Sequence, residues 1–375
     1  MKYRLEEIAT YSNQKIETDK LNYDNYISTE NMLPNKLGVI KATTLPNQRK
    51  VCYYNENNIL ISNIRPYFKK IWFANCEGGC SNDVLNIMIN NKKIVLPKYL
   101  YYILFQDDFF DYVMAGNKGT KMPRGDKEHI MNYIVNLPDI KIQTKIVNIL
   151  EKIDKKMELN NQINDNLYKL MQIKFEDWIA NFEQYEVSNL SKIATYTNGL
   201  SMQKNRPKDD EDSLPVIKIK EMHEGITENT ERCSINIKDD VIINNGDILF
   251  AWSGTLCMTI WGKGKAGLNQ HIFKVTSDKY PKWFYYFWTL KHLDKFKMIA
   301  VGKATTMGHI KRGELDVSEV LIPDTEEMQK MDKIMQPIFN KYINNLIQNE
   351  TLIQLRDTLL PKLMNGEIDL KNIIL

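Results

Sequence analysis

The residues with the clearest claim to chemistry are Gly262-Lys263-Gly264-Lys265-Ala266-Gly267, which fit the pattern G-x-G-x-x-G. A dinucleotide fingerprint needs that turn to open a helix, so that backbone N–H groups face the pyrophosphate, and needs an acid about 20 residues on. Here the glycines run into Leu268 to Val275, a strand-like stretch, so the pattern predicts a hairpin turn. Cys76 and Cys80 lie close together, but zinc needs a second cysteine pair or histidines at ligand spacing, and neither follows. His129, His223, His271, His292 and His309 are scattered, and Asp209-Asp210-Glu211-Asp212 reads as a solvated loop. There is no P-loop, and no Asn-Pro-Pro-aromatic or Asp-Pro-Pro-aromatic tetrapeptide with which amino-methyltransferases hold a target base. A nuclease site of dispersed acids and a lysine stays open, although no residue points to one. The expectation is a chain with no catalytic residue, no metal and no cofactor.

What recurs is positive charge in loops. Gly116, Lys118, Gly119, Thr120, Lys121 and Arg124 form one basic loop. Gly302, Lys303, Thr305, Thr306, Gly308, His309, Lys311 and Arg312 stand at the matching place in the second half. Accessible backbone N–H groups beside cations suit phosphates. A second set is Arg65, Lys69 and Lys70, with Lys263 and Lys265 near the equivalent position, and a third is Lys204, Arg206 and Lys208. Two readings stand side by side: solvated surface charge, or contacts to double-stranded DNA. The net charge of +3 permits the second without requiring it.

The positions match because the chain repeats itself. Ile8-Ala9-Thr10-Tyr11-Ser12-Asn13 returns as Ile193-Ala194-Thr195-Tyr196-Thr197-Asn198, a shift of 185 residues. Pro97-Lys98 with Tyr101-Tyr102 returns as Pro281-Lys282 with Tyr285-Tyr286, and Leu137-Pro138-Asp139 as Ile322-Pro323-Asp324. Residues 117–122 align with 302–307 in the same order. Ile71-Trp72 and Ile260-Trp261 keep the order with a slightly larger shift. So long a period marks a duplicated domain, not a solenoid.

Each half opens with strand signals. Residues 58–64 and 246–252 are short apolar runs bounded by turn residues. A Gly-bearing turn follows in each (Gly78-Gly79; Gly262, Gly264, Gly267), then another strand-like run at 84–89 and 271–275. In the second half Trp283, Phe284, Tyr286, Phe287 and Leu290 fall at helical spacing as core. Each half closes with a long helix, one from after Pro138 to about Trp178, the other from after Pro323 to about Met364. Their apolar residues step by three and four in a heptad-like stripe. Gly366 is a natural stop, and Pro361 is expected to kink or shorten the last turns.

At about 1.5 Å per residue such helices are about 60 Å long, and the simplest cover for either stripe is the other helix. Asn160, Asn161, Asn164, Asn344, Asn345 and Asn349 fall near mid-stripe. Buried in a seam they would fix register; on the surface they are merely polar. The fold expected is α+β: two tandem pseudo-repeats, each a mixed α/β globular recognition domain followed by a long helix. The two helices would pair as an antiparallel coiled coil with pseudo-twofold symmetry. The boundaries expected are 1–137 and 183–323 for the globular domains, and 138–182 and 324–375 for the helices with the C-terminal tail. Two readers on a helical ruler predict a split DNA target, with half-sites about one 34 Å turn apart or somewhat more.

Composition sets the frame around this. The 375 residues suit two domains, and 43% hydrophobic with 26% charged residues is ordinary for a globular protein. No secretory h-region opens the chain, and no apolar run approaches a membrane span of about 18 residues. Five cysteines, an odd and scattered set, fit reduced thiols, and the expected place is the cytoplasm with no membrane partner.

With these residues in view, the sequence resembles the specificity subunits of type I restriction-modification systems. The resemblance is carried by Leu-Ser-Lys-Ile-Ala-Thr-Tyr-Thr-Asn-Gly (190–199) with its first-half copy, and by Gly-Asp-Ile-Leu-Phe (246–250). It is carried also by the Pro-Asp…Gln openings of the helices (Pro138, Gln143; Pro323, Gln329) and the tail Leu-Leu-Pro-Lys-Leu-Met-Asn-Gly-Glu-Ile. Asn13-Gln14 departs from the pattern, standing where the second half has Asn198-Gly199. The resemblance implies two target recognition domains, each reading half of a bipartite site, and no catalysis by this chain. It implies that the helices bind two methyltransferase subunits, that restriction or translocase subunits join the complex, and that methylation and cleavage belong to those partners. It carries over no base-reading residue. Against it stand a self-contained nuclease or methyltransferase, which cofactor binding would reveal, and a coiled-coil scaffold, which would show no DNA sequence preference.

Overall fold

The computed structural model describes residues 1–119, 121–302 and 308–370. The chain forms two compact units, Met1–Asp154 with Gln354–Leu375, and Lys155–Ile353. The boundary falls inside both long helices, so each unit holds one end of each.

The first unit is built on two four-stranded sheets. One runs Ala9–Tyr11, Val84–Ile89, Ile59–Ser62, Ile71–Phe73, all antiparallel. Ile59–Ser62 is buried along its whole length, which explains its apolar run without alternation. The other runs Lys15–Glu17, Lys50–Tyr54, Gly78–Cys80, Tyr26–Ile27, and its last pair is parallel. Helices Pro97–Leu104 and Asp107–Ala115 cover the first sheet, and their buried Tyr99, Leu100, Phe109 and Phe110 join Ile59, Ile71 and Ile87 in one core. Ile146, Leu150, Leu360 and Leu363 of the two long helices belong to the same core.

The second unit keeps the first of these sheets strand for strand: Thr195–Asn198, Ile272–Thr276, Ile248–Ala251, Cys257–Ile260. Its second sheet runs Arg232–Ser234, Ser213–Ile217, Ala266–Leu268, Ile242–Ile243. Three of the four strands match, since Ala266–Leu268 again has one parallel and one antiparallel neighbour. The outermost strand differs: it lies beyond the antiparallel neighbour in the first unit and beyond the parallel neighbour in the second. One helix, Lys282–Gly302, replaces the two helices of the first unit. Its Trp283, Phe284, Tyr286 and Phe287 are buried and Leu290 half-buried, and because Tyr285, Trp288 and Thr289 are buried as well the first turns are covered all round.

In each unit a two-stranded ribbon ties the start of the repeat to the start of a long helix. Lys2–Arg4 pairs with Ile134–Asn136, and Tyr185–Asn189 with Glu319–Pro323. The helices then run Ile140–Ala180 and Thr325–Met364. Asp139 Oδ1 accepts from the Ile142 N–H at 2.9 Å and Asp324 Oδ1 from the Glu327 N–H at 2.8 Å, which caps both N-termini. Fully buried Gln143 donates to the Pro138 and Ile94 carbonyls and accepts from the Leu96 N–H, locking helix to domain. The second helix passes through Pro361 and stops where Gly366 takes a positive φ of 73°.

Two local expectations are corrected. Gly78, Gly79 and Gly267 lie inside strands and not in turns, because the sheet centre there has room for no side chain: a Cβ on Gly79 would fall 2.7 Å from Val51 Cγ2, and one on Gly267 2.5 Å from Cys233 Sγ. The stretch from Leu268 to Val275 is two strands in two sheets, Ala266–Leu268 and Ile272–Thr276, separated at Asn269–His271. The five cysteines are free thiols. Among the described residues, no helix is long and apolar enough to cross a membrane.

The asparagines fall on both sides of the alternative posed by sequence. In the second unit Asn160, Asn164 and Asn345 are buried, while Asn161 and Asn344 are exposed. Asn160 Nδ2 donates to Gln348 Oε1 and Asn349 Oδ1, both at 2.8 Å, and Asn349 Nδ2 donates to Asn161 Oδ1. These amides join the two long helices within that unit.

Candidate nucleic-acid interface

In both units the chain after the central strand of the first sheet meets the loop that follows the aromatic helix. In the first unit the Arg65 N–H donates to the Pro123 carbonyl at 2.8 Å and the Gly125 N–H to Asn63 at 3.2 Å, around a bridge between Ile64 and Arg124. In the second, the Gly254 N–H donates to Gly308 at 2.8 Å and the Ile310 N–H to Trp252 at 3.1 Å, around a bridge between Ser253 and His309. Strand register therefore equates Asn63 with Trp252, Arg65 with Gly254, and Arg124 with His309. We call this contact the junction.

The junction gathers Arg65, Lys118, Lys121 and Arg124 in the first unit. Lys118 and Arg124 exchange both backbone hydrogen bonds, closing a small hairpin with Gly119 at φ 91°. Lys118 pairs with Asp126, the residue that caps helix Lys127–Met131, and Arg124 pairs with Asp83 at 3.3 Å. Arg65 and Lys121 are exposed and form no ion pair with a described residue. Lys69 and Lys70 are engaged elsewhere. Lys69 shares Asp107 with Lys36, at 2.9 and 2.6 Å, and Lys70 donates to the Thr29 carbonyl at 2.6 Å. Burial lowers the pKa of Lys70, which fits a lysine holding two segments together.

In the second unit Arg312 Nη2 donates to the Tyr196 carbonyl at 2.8 Å and its guanidinium lies 5.7 Å from the Phe273 ring centre, while Lys311 is exposed. Thr120, Lys303, Thr305 and Thr306 lie outside the described residues. Lys263 and Lys265 do not share a position with Arg65, Lys69 and Lys70. The latter lie between strands Ile59–Ser62 and Ile71–Phe73, whose counterparts enclose residues 252–256, a stretch without a cation. Lys263 follows the edge strand, packs beside Gly225, and has its pKa lowered by burial. Lys204 and Arg206 are exposed, and the Asn205 carbonyl between them accepts from the Ser234 N–H of the second sheet at 2.9 Å.

Sequence reasoning missed a cluster on the second junction. Trp252 Nε1 donates to Asn198 Oδ1 at 2.9 Å, and its ring lies 5.9 Å from that of His271 and 6.5 Å from that of His309. Gln270 Nε2 stands 3.2 Å from His271 Nε2. A signal was present in the polar dipeptides Asn82-Asp83 and Gln270-His271, each directly before an apolar strand. Among the described residues, no group of three His, Cys, Asp or Glu side chains could hold a metal ion.

The chain matches the family of type I restriction modification DNA specificity domains twice, over residues 1–169 and 182–354. It belongs to this family. Its role is that of a DNA sequence-specificity subunit. It is 23% identical to the type I restriction enzyme HindI specificity subunit of Haemophilus influenzae, an alignment covering 92% of this chain and 94% of that one. It is 24% identical to the MjaIX specificity subunit of Methanocaldococcus jannaschii over 73% of this chain and 69% of the relative. The crystal structure of a type I restriction-modification S subunit from M. genitalium has the same fold, with a TM-score of 0.59 at 14% identity, covering 97% of this chain and 95% of that one. The two family matches coincide with the two halves that carry a junction, so each specificity domain brings its own copy of that contact.

Proposed function

We propose that this specificity subunit reads a bipartite DNA target, one half-site per junction, and itself performs no catalysis. The observation that carries the reading is the junction: one backbone pairing, made twice, with exposed polar side chains at both copies. Arg65, Lys118, Lys121 and Arg124 would serve the first half-site, and Lys311 with Arg312 the second. Lys204, Arg206 and Lys265 are exposed cations available to phosphates, whereas Lys69, Lys70 and Lys263 act mainly within the protein. Thr120, Lys303, Thr305 and Thr306 belong to the same two loops by sequence. Phosphate contacts fix register, and base contacts carry the sequence information.

In this reading residues 1–137 and 183–323 are the recognition domains, and 138–182 and 324–375 form the spacer. The two long helices pair as an antiparallel coiled coil that holds the readers at a fixed separation, related by a pseudo-twofold axis. Support comes from Asn164 with Asn345 in one unit and Asp154 with Arg356 in the other, since one number falls as its partner rises. The helices recruit two methyltransferase subunits in the cytoplasm, and restriction or translocase subunits join them. Those subunits methylate adenine and cut.

The test is to map methylated positions in DNA from cells expressing this chain with its methyltransferase. The result expected is adenine methylation in two short sequences separated by a fixed unread spacer. A single unbroken motif, or modification of DNA by the purified chain alone, would overturn the reading.

A further inference from the structure

The two junctions share a backbone and differ in side chains. In the first unit Asp83 and Arg124 form an ion pair at 3.3 Å, with side chains 40% and 53% exposed. Strand register equates these positions with His271 and His309. Between them stands Asn63 in one unit and Trp252 in the other. Behind the junction several positions keep their character: Leu60 and Leu249, Leu85 and Phe273, and Ile87 and Val275 are equivalent, apolar and buried, whereas Asn86 has Lys274 as its counterpart. One scaffold therefore carries an acid–base pair on one copy and a pair of imidazoles on the other.

We propose that Asp83 with Arg124, and His271 with His309, are specificity-determining pairs that contact base edges of duplex DNA, one pair for each half-site. The inference rests on the bipartite reading above and says which residues discriminate. The arginine fork matches the O6 and N7 acceptors of guanine, and the Asp83 carboxylate that now aims the fork can accept from a cytosine amino group. His271 Nδ1 is buried, so this imidazole presents Nε2, which donates or accepts according to tautomer, and the second pair asks a different question of the groove. The Trp252 ring stands between the two imidazoles, 5.9 and 6.5 Å from their ring centres, and its indole N–H donates to Asn198 Oδ1. All four positions lie in loops at the end of the first sheet, tied to its central strand by backbone contacts: the Asn63 N–H donates to Asp83 at 2.8 Å, the Trp252 N–H to His271 at 3.2 Å, and Arg124 and His309 form the two bridges.

The test selects bound molecules from a pool of random-sequence duplex DNA, using the full chain in its modification complex. Wild type is expected to retain a split motif. Arg124→Ala should lower base preference by about tenfold or more at positions of one half only, and His309→Ala should do so in the other half. Arg124→Lys keeps the charge, so it should hold overall affinity yet still relax the base preference. A motif unchanged in all three variants, or a uniform loss over both halves with Arg124→Lys equal to wild type, would overturn the pairs and leave plain phosphate contacts. A wild type that selects one unbroken motif sinks the bipartite reading instead, so the two failures are told apart. If an alanine variant melts early, Asp83→Asn and His271→Gln report on the same two pairs with smaller changes.

Discussion

Asn345 Nδ2 donates to Asn164 Oδ1 at 2.9 Å, and both residues are buried, 1% and 5% exposed, between the two long helices of the second unit. Asn164 Nδ2 continues to the Tyr342 carbonyl at 3.1 Å, so the pair is tied to the backbone as well as to itself. Removing one amide leaves the other buried without its partner, which costs about 1–3 kcal/mol. Asn164→Ala should therefore lower stability by that amount in urea denaturation. The double variant Asn164→Leu/Asn345→Leu should recover most of it, because an apolar pair leaves no polar atom stranded. What the double variant loses is the demand for one register. A double variant as unstable as the single one would show that the asparagines act by packing alone.

The first unit sets a different kind of pair between the helices. Arg356 Nη1 lies 3.4 Å from Asp154 Oδ1, its Nε lies 3.0 Å from Asp357, and its guanidinium lies 4.6 Å from the Phe105 ring centre. The Tyr102 hydroxyl donates to Asp154 Oδ2 at 2.6 Å. Arg356 is only 14% exposed in its side chain, so its loss leaves the Asp154 carboxylate with the Tyr102 hydroxyl but without its cation, and uncovers the Phe105 ring. Arg356→Ala should cost about 3 kcal/mol, and Arg356→Lys should recover only part, since an ammonium cannot serve both acids and lie flat on a ring. Thermal unfolding of the full chain checks both.

Gly79 and Gly267 predict a matched pair of effects. Each is buried in the middle of its sheet with one parallel and one antiparallel neighbour. A Cβ on Gly267 meets Cys233, Ile237 and Met202, and one on Gly79 meets Val51, Leu21 and Ile16, all within 3.3 Å. Gly79→Ala and Gly267→Ala should each destabilise by about 1–3 kcal/mol through overpacking. Gly313→Ala is the control, because its added methyl meets nothing within 4 Å. Equal melting temperatures for all three would mean that the sheet centre is looser than these contacts require.

Much of this was legible in the sequence, for definite reasons. The repeat, the central strands, the aromatic helix and the long helices each carry a period or a bounded apolar run. The caps at Asp139 and Asp324 sit beside the prolines that announce the helix starts. Less legible was anything decided by sheet order. The glycine pairs Gly78-Gly79 and Gly264–Gly267 look like turns in sequence, yet three of these glycines are strand residues chosen for close approach. Lys263 and Lys265 aligned with Lys69 and Lys70 by count alone, because insertions of a few residues separate the halves and only hydrogen-bond register corrects for them. Asp83 and His271 were missed for the same reason: nothing in their types marks them until the register sets them against Arg124 and His309.

The ruler makes the most discriminating prediction for the proposed function. Asn160 and Asn164 lie one turn apart on one helix, and their partners Asn349 and Asn345 lie one turn apart on the other. Inserting four residues on the same side of this pair in both helices adds about one turn, close to 6 Å, and keeps each apolar stripe nearly in phase. Duplex DNA rises about 3.4 Å per base pair, so the unread spacer should lengthen by about two base pairs. Both half-sites should stay as they were, because no residue of either junction has moved within its own unit. The measurement is the methylated motif of cells expressing the lengthened chain with its methyltransferase. A spacer of unchanged length, or half-sites that change while the spacer holds, would show that the helices do not set the separation. Inserting the four residues in one helix alone should abolish modification, since the asparagine pairs could then form only by breaking the contacts that anchor that helix to its domain.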